Sequence, residues 1–207
     1  MQQEWLPLFP LAMVLFPRTQ FPLHIFEDRY KKMIGQAIRD KSEFGIVLAG
    51  EKGVASTGCT AVVEQVTQRY PDGRLDVLTV GLRRFEILDL NQDEPFLRAA
   101  VTYFNDEDTE LPAAEVREEV MTGYKNLREF FAEGVPEPRW DDPQLSFQVA
   151  QVIGDLEFRQ RMLMSRSESE RMKLLAEFLP EHVNQQRQIQ HVRAVAPRNG
   201  RGMRSST

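Results

Sequence analysis

Ala61-Val62-Val63-Glu64-Gln65-Val66 and Leu75-Asp76-Val77-Leu78-Thr79-Val80 flank Arg69-Tyr70-Pro71-Asp72-Gly73-Arg74, and this stretch decides the fold class. Both flanks are rich in β-branched and aliphatic residues that alternate with polar ones, the pattern of strands with one buried face. Between them Pro71 presets φ, and Gly73 accepts a backbone conformation closed to most residues, so the connection reads as a hairpin turn.

The same language extends in both directions. Upstream, Leu6–Phe9 and Met13–Phe16 read as two short strands whose neighbouring prolines suit edge positions, because proline donates nothing to a ladder. Phe44–Leu48 reads as a buried strand. Downstream, Arg83–Leu90 and Phe96–Phe104 continue the period of two through Phe85, Ile87, Leu97, Ala99 and Val101. One helix interrupts the strands, Glu27–Asp40, with acidic residues at its start and Tyr30, Met33, Ile34 and Ala37 on one face. It is expected to close one end of a barrel.

Beyond an acidic connection at Asn105–Pro112 the period changes to that of helices. Val116, Val120, Tyr124, Leu127 and Phe131 form a stripe, and Glu115, Glu118 and Glu119 load its N-terminal end. Asp142 before Pro143 caps a helix carrying Leu145, Val149 and Val152, with Gly154 as terminator, and a short helix follows near Leu156–Leu163. Ser167 and Glu170 are spaced as a capping box ahead of Met172, Leu175 and Phe178, and Pro180 is expected to start a last helix through Val183 to His191. The resulting division is a β-rich part with one helix at 1–107, a helical bundle at 108–195 and a basic tail at 196–207 carrying Arg198, Arg201 and Arg204.

Composition narrows the function. A formal net charge of -5 opposes phosphate binding over a broad face, which needs clustered Lys and Arg. The single cysteine, Cys59, has no intramolecular disulfide partner and reads as a buried structural thiol in a reducing compartment. No run approaches the roughly 20 apolar residues needed to span a bilayer, so the expected location is the cytoplasm. Gly45 and Gly50 have P-loop separation, but Glu51 stands where the lysine should follow. The histidines, His24, His182 and His191, make no metal-ligating spacing, so no metal and no cofactor is expected. His24 has two readings: an imidazole activated by Glu27 or Asp28, or a ring bonded to backbone just ahead of the Glu27 helix.

Leu6-Pro7-Leu8-Phe9-Pro10-Leu11, then Val14-Leu15-Phe16-Pro17, then Phe21-Pro22-Leu23-His24-Ile25-Phe26-Glu27 with Arg29-Tyr30, resembles the opening of the N-terminal domain of Lon proteases. The likeness continues through Phe44–Leu48, Gly58-Cys59-Thr60-Ala61, Asp72-Gly73-Arg74 and Val80–Phe85, and weakly to about Val192. The resemblance implies an α+β fold, a PUA-like twisted pseudo-barrel of about six strands packed against a C-terminal helical bundle. Arg18 stands where the family usually has glycine. Neither a Walker segment nor the Pro-Ser-Ala-Gly nucleophile motif is found, so the implied role is that of a free-standing, non-catalytic module. Its implied partners are unfolded or degron-bearing polypeptides, met as a protease adaptor or holdase, with oligomer assembly a further family role. An apolar groove rimmed by charge would suit that role, and Phe16, Phe21, His24 and Arg84 are the expected rim or floor. RNA binding is the alternative, because PUA-like folds also serve RNA-modifying proteins.

Overall fold

In the computed structural model the described residues are 5–51, 53–108, 111–131, 135 and 137–195. The elements in chain order are β1 (Leu6–Leu11), β2 (Gln20–Ile25), α1 (Asp28–Asp40), β3 (Phe44–Gly50), β4 (Gly53–Arg69), β5 (Leu75–Asn91), β6 (Arg98–Phe104), α2 (Ala114–Arg128), α3 (Leu145–Ala150), α4 (Leu156–Met164) and α5 (Glu168–Val195). They form two compact units. The first holds the described residues up to Asp108 together with Ala150–Arg166; the second holds those of 109–149 and those from Ser167 onward.

The hairpin read from sequence is the spine of the first unit. Val62 pairs with Val80, Val66 with Val77 and Arg69 with Leu75. At the turn Gly73 takes φ 84°, and its amide donates to the Tyr70 carbonyl at 3.0 Å. Both strands are longer than their alternation suggested, because β5 runs unbroken from Leu75 to Asn91 where two strands were expected. What lies at Gly81 is a change of partner. Before it β5 pairs with β2, from Leu75 to Val80; after it β5 pairs with β6, from Arg84 to Asn91. With the order β2-β5-β4-β3-β1-β6 and the β5–β6 pairing, β5, β4, β3, β1 and β6 form a closed ring beside which β2 lies on β5. The ring is mixed: β1 and β3 are parallel, the other pairs antiparallel.

Gly81 makes the exchange sterically feasible. Its amide donates to the Thr19 carbonyl at 2.9 Å, and its own carbonyl accepts from Arg18 at 2.7 Å. A Cβ there would stand 2.2 Å from the carbonyl oxygen of Phe16. The bend opposite it contains Arg18 at φ 59°, a left-handed conformation that glycine adopts without steric cost. That accounts for the glycine expected at this position.

Met13–Phe16 is not a strand. Val14, Leu15 and Phe16 are consecutive and all buried, at 2%, 1% and 0% exposure, whereas a strand would send alternate residues to opposite faces. The second strand is instead Gln20–Ile25, where Leu23 and Ile25 are buried and His24 is exposed. Pro22 stands on this outermost strand of the sheet order, as a residue without a donor should. α1 buries Tyr30, Met33, Ile34 and Ala37 as its period requires and lies against β2 and β4.

In the second unit α2 buries Val120, Gly123, Tyr124 and Leu127. Gly123 allows close approach to α5, since a Cβ there would lie 2.9 Å from that of Leu179. The Asp142 cap forms, its carboxylate accepting from the Gln144 amide at 2.8 Å, and Ser167 Oγ accepts from the Glu170 amide at 3.1 Å. Arg171, fully buried, donates to Ser146 Oγ at 2.8 Å and to Glu168 at 2.7 Å while lying 4.3 Å from the Phe147 ring centroid. The expected helix start at Pro180 is absent: α5 is one helix with the proline inside it. Proline removes a single donor from the ladder, and Leu179 and Val183, both buried, hold the two sides in register.

Replacing Gly81 by alanine should destabilise the fold by about 3 kcal/mol, the upper end of what overpacking costs. Urea denaturation of Gly81→Ala beside Gly35→Ala checks this, since an added Cβ at Gly35 meets nothing closer than 3.8 Å.

Candidate functional site

The four residues expected to surround a binding groove do not meet. Phe16 is fully buried, and Arg84 is 2% exposed, so neither can line an open rim. Phe21 and His24 share β2 but lie on opposite faces, because residues an odd number apart on a strand point to opposite sides. Arg84 is committed within its own unit. It donates to the Leu163 carbonyl at 3.2 Å, to the Ser165 carbonyl and to Asp106 at 2.6 Å, and its guanidinium carbon sits 4.6 Å from the Phe104 ring centroid. It therefore ties the C-terminal carbonyls of α4 to the barrel. This places the 150–166 segment with the strands, where the sequence had grouped it with the later helices.

His24 follows neither sequence reading. Glu27 pairs with Arg29, and Asp28 with Lys31. The imidazole Nδ1 donates instead to Asp76, 52 residues away, at 2.5 Å, and the other oxygen of Asp76 accepts from the Tyr70 hydroxyl at 2.8 Å. The bond with His24, then that with Tyr70, holds the Asp76 carboxyl below its ordinary range. The Tyr70 hydroxyl is raised, first by donating to Asp76. The exposed Phe26 stacks on His24, with centroids 5.9 Å apart. These bonds fasten the β4–β5 turn to β2, and the Thr67 hydroxyl adds a bond to the Asp76 carbonyl at 3.1 Å.

Cys59 is equally remote from chemistry. It is fully buried on β4, and burial pushes its thiol up to about 12.

The first unit carries a concave surface beside β6. A groove of about 700 Å³ is walled by Leu6 and Pro7 of β1, by Ala100, Val101 and Tyr103 of β6, and by Lys41, Ser42 and Glu43 between α1 and β3; Trp5, Arg83 and Leu88 complete it. Leu88 is 66% exposed and Tyr103 43%. Arg83 bridges the groove, bonded to both Glu43 oxygens at 2.8 and 3.1 Å and lying 3.8 Å over the Tyr103 ring. The neighbour of the expected arginine thus reaches the groove. Parity along β5 decides which of the two is buried, and that parity is set by register shifts no local pattern shows. One sequence signal was available: Ile87 and Leu88 are adjacent apolar residues that break the alternation, at a bulge opposite β6.

Replacing Arg84 by methionine should cost about 3–5 kcal/mol in stability, since it removes the buried cation that Asp106 and two carbonyls share. The expected result is a lowered denaturation midpoint in Arg84→Met and a small change in His24→Ala. In the native protein at pH 8, Cys59 should react with an aromatic disulfide reagent only at the rate of unfolding. Rapid labelling without denaturant would contradict its burial.

The family model of the ATP-dependent protease La (LON) substrate-binding domain matches residues 5–182. Lon protease of Parabacteroides distasonis is 31% identical over 112 residues, 50% of this chain and 14% of that protein. Lon protease of Anaeromyxobacter dehalogenans is 26% identical over 201 residues, 89% of this chain and 23% of that protein. The chain therefore spans less than a quarter of the length of either relative. Among solved structures, a Lon N-terminal domain protein from Xanthomonas campestris aligns with TM-score 0.69 and 22% identity, covering 84% of this chain and 98% of that one. The N-terminal domain of a Mycobacterium avium complex Lon protease aligns with TM-score 0.61 and 18% identity, covering 86% and 100%. These two share the α+β fold built here around the β5 partner exchange, and by the match over residues 5–182 the chain belongs to the LON substrate-binding domain family.

Proposed function

We propose that this protein binds exposed apolar segments of other polypeptides in the groove on β6, without chemistry of its own, as a holdase or as an adaptor that presents clients to a protease. The observation that carries the reading is Leu88, a large aliphatic side chain held 66% exposed inside a groove where Arg83, Glu43 and Tyr103 supply polar and aromatic walls. An exposed leucine alone means little, but one set in a concave surface with a stacked guanidinium has the makeup of a peptide-binding site. Membership of a substrate-binding domain family supports the same reading. Phe21 and His24 remain proposed as outer contacts, on the faces of β2 that each occupies. The RNA alternative gains no such observation: Arg83, the arginine that walls the groove, is paired with the Glu43 carboxylate.

Burying a leucine contributes about 2 kcal/mol, near thirtyfold in affinity. Fluorescence anisotropy with a permanently unfolded model chain should therefore show binding that weakens about thirtyfold in Leu88→Asp. Equal affinity of the parent protein for folded and unfolded versions of one client would overturn the proposal. In-cell crosslinking separates its two forms, since a holdase captures many misfolded chains and an adaptor one dominant protease.

A further inference from the structure

A second groove, of about 620 Å³, lies between α2 and α5 within the helical unit. Its floor is small and apolar, formed by Gly123, Ala176 and Val183. The same Gly123 that lets α2 approach Leu179 leaves this floor without a side chain on the α2 side. Pro180 also lines it, and having no amide it cannot donate the usual helical bond to the Ala176 carbonyl.

The rims are charged unequally. Glu115, Glu118 and Glu119 stand on the α2 side, spaced to share one face, against Arg187 on α5. The helix dipole accounts for Glu115 in the first turn, but it falls off within that turn and does not account for Glu118 and Glu119. Three acidic side chains of the first unit, by contrast, each face a cation: Glu43 faces Arg83, Glu86 faces Arg166 and Glu94 faces Lys32. The three rim carboxylates have no hydrogen-bond or ion-pair partner among the described residues. They flank an apolar floor, which lowers the local dielectric on one side of any cation placed there. Nor does the rim match a metal ion, as no group of His, Cys, Asp and Glu among the described residues could hold one.

We propose that this groove receives a cationic amphipathic segment of a partner polypeptide, its small apolar side chains on the Gly123–Ala176–Val183 floor and its Lys or Arg side chains against Glu115, Glu118 and Glu119. The inference stands apart from the β6 groove, which lies in the other unit, and the chain's net charge of -5 steers the same class of partner toward it.

The test is fluorescence anisotropy of the full chain with a labelled amphipathic peptide of lysine, alanine and leucine, beside its glutamate-for-lysine counterpart. The lysine peptide should bind more tightly and lose affinity as salt rises. Glu118→Gln combined with Glu119→Gln should weaken it roughly fivefold, as expected for two exposed ion pairs. These positions are exposed, so the variant keeps its fold, which far-ultraviolet circular dichroism verifies. The double variant should leave binding of the unfolded model chain unchanged, so failure of the β6 reading and failure of this one are distinguishable. Equal affinity for both peptides, or undiminished binding by the double variant, would overturn the proposal. So would light scattering that shows a dimer lost in the double variant, which would assign the groove to a second copy of this chain.

Discussion

The guanidinium of Arg84 is buried to 2% exposure, and a charge so placed is tolerable only when its donors are satisfied. Its partners are drawn from three parts of the first unit: the carbonyls that end α4, the carboxylate of Asp106 just after β6, and the ring of Phe104. Removing it would take the same cation from helix-terminal acceptors and from a carboxylate only 16% exposed. Arg166 reinforces the same junction, pairing with Glu86 and Glu107, while the Glu107 amide donates to the Arg166 carbonyl. Through these bonds a segment more than forty positions beyond the last strand becomes part of the barrel's unit.

The barrel itself depends on β5 serving two partners in turn. A side chain at position 81 would meet the Phe16 carbonyl, so the exchange from β2 to β6 happens at a glycine. That exchange closes the ring and orients the following residues. Arg84 then points inward to its acceptors, and Arg83 points outward to Glu43 and Tyr103. The structural arginine and the groove arginine are consecutive because adjacent strand residues face opposite ways.

Three residues with reactive side chains are engaged in the fold of the first unit. The Cys59 thiol is desolvated, and His24 and Asp76 are spent on fastening a turn. The described surface carries a groove with exposed aliphatic and aromatic side chains in one unit and an acid-rimmed groove in the other. Both suit recognition of extended or helical polypeptide.

What could be read without coordinates was whatever depends on residues close in sequence. The Pro71-Asp72-Gly73 turn, the apolar stripes of α1 and α2, and the caps at Asp142 and Ser167 follow from φ preferences, period and short-range hydrogen bonds. The motif at Leu6–Tyr30 carried the family likeness as well. Tertiary structure alone decided that Val14-Leu15-Phe16 is buried without being a strand, that α5 runs through Pro180, that His24 finds Asp76, and that Arg83 rather than Arg84 reaches the surface. Each of these depends on a partner far along the chain or on the parity of a shifted register, and neither leaves a trace in local composition.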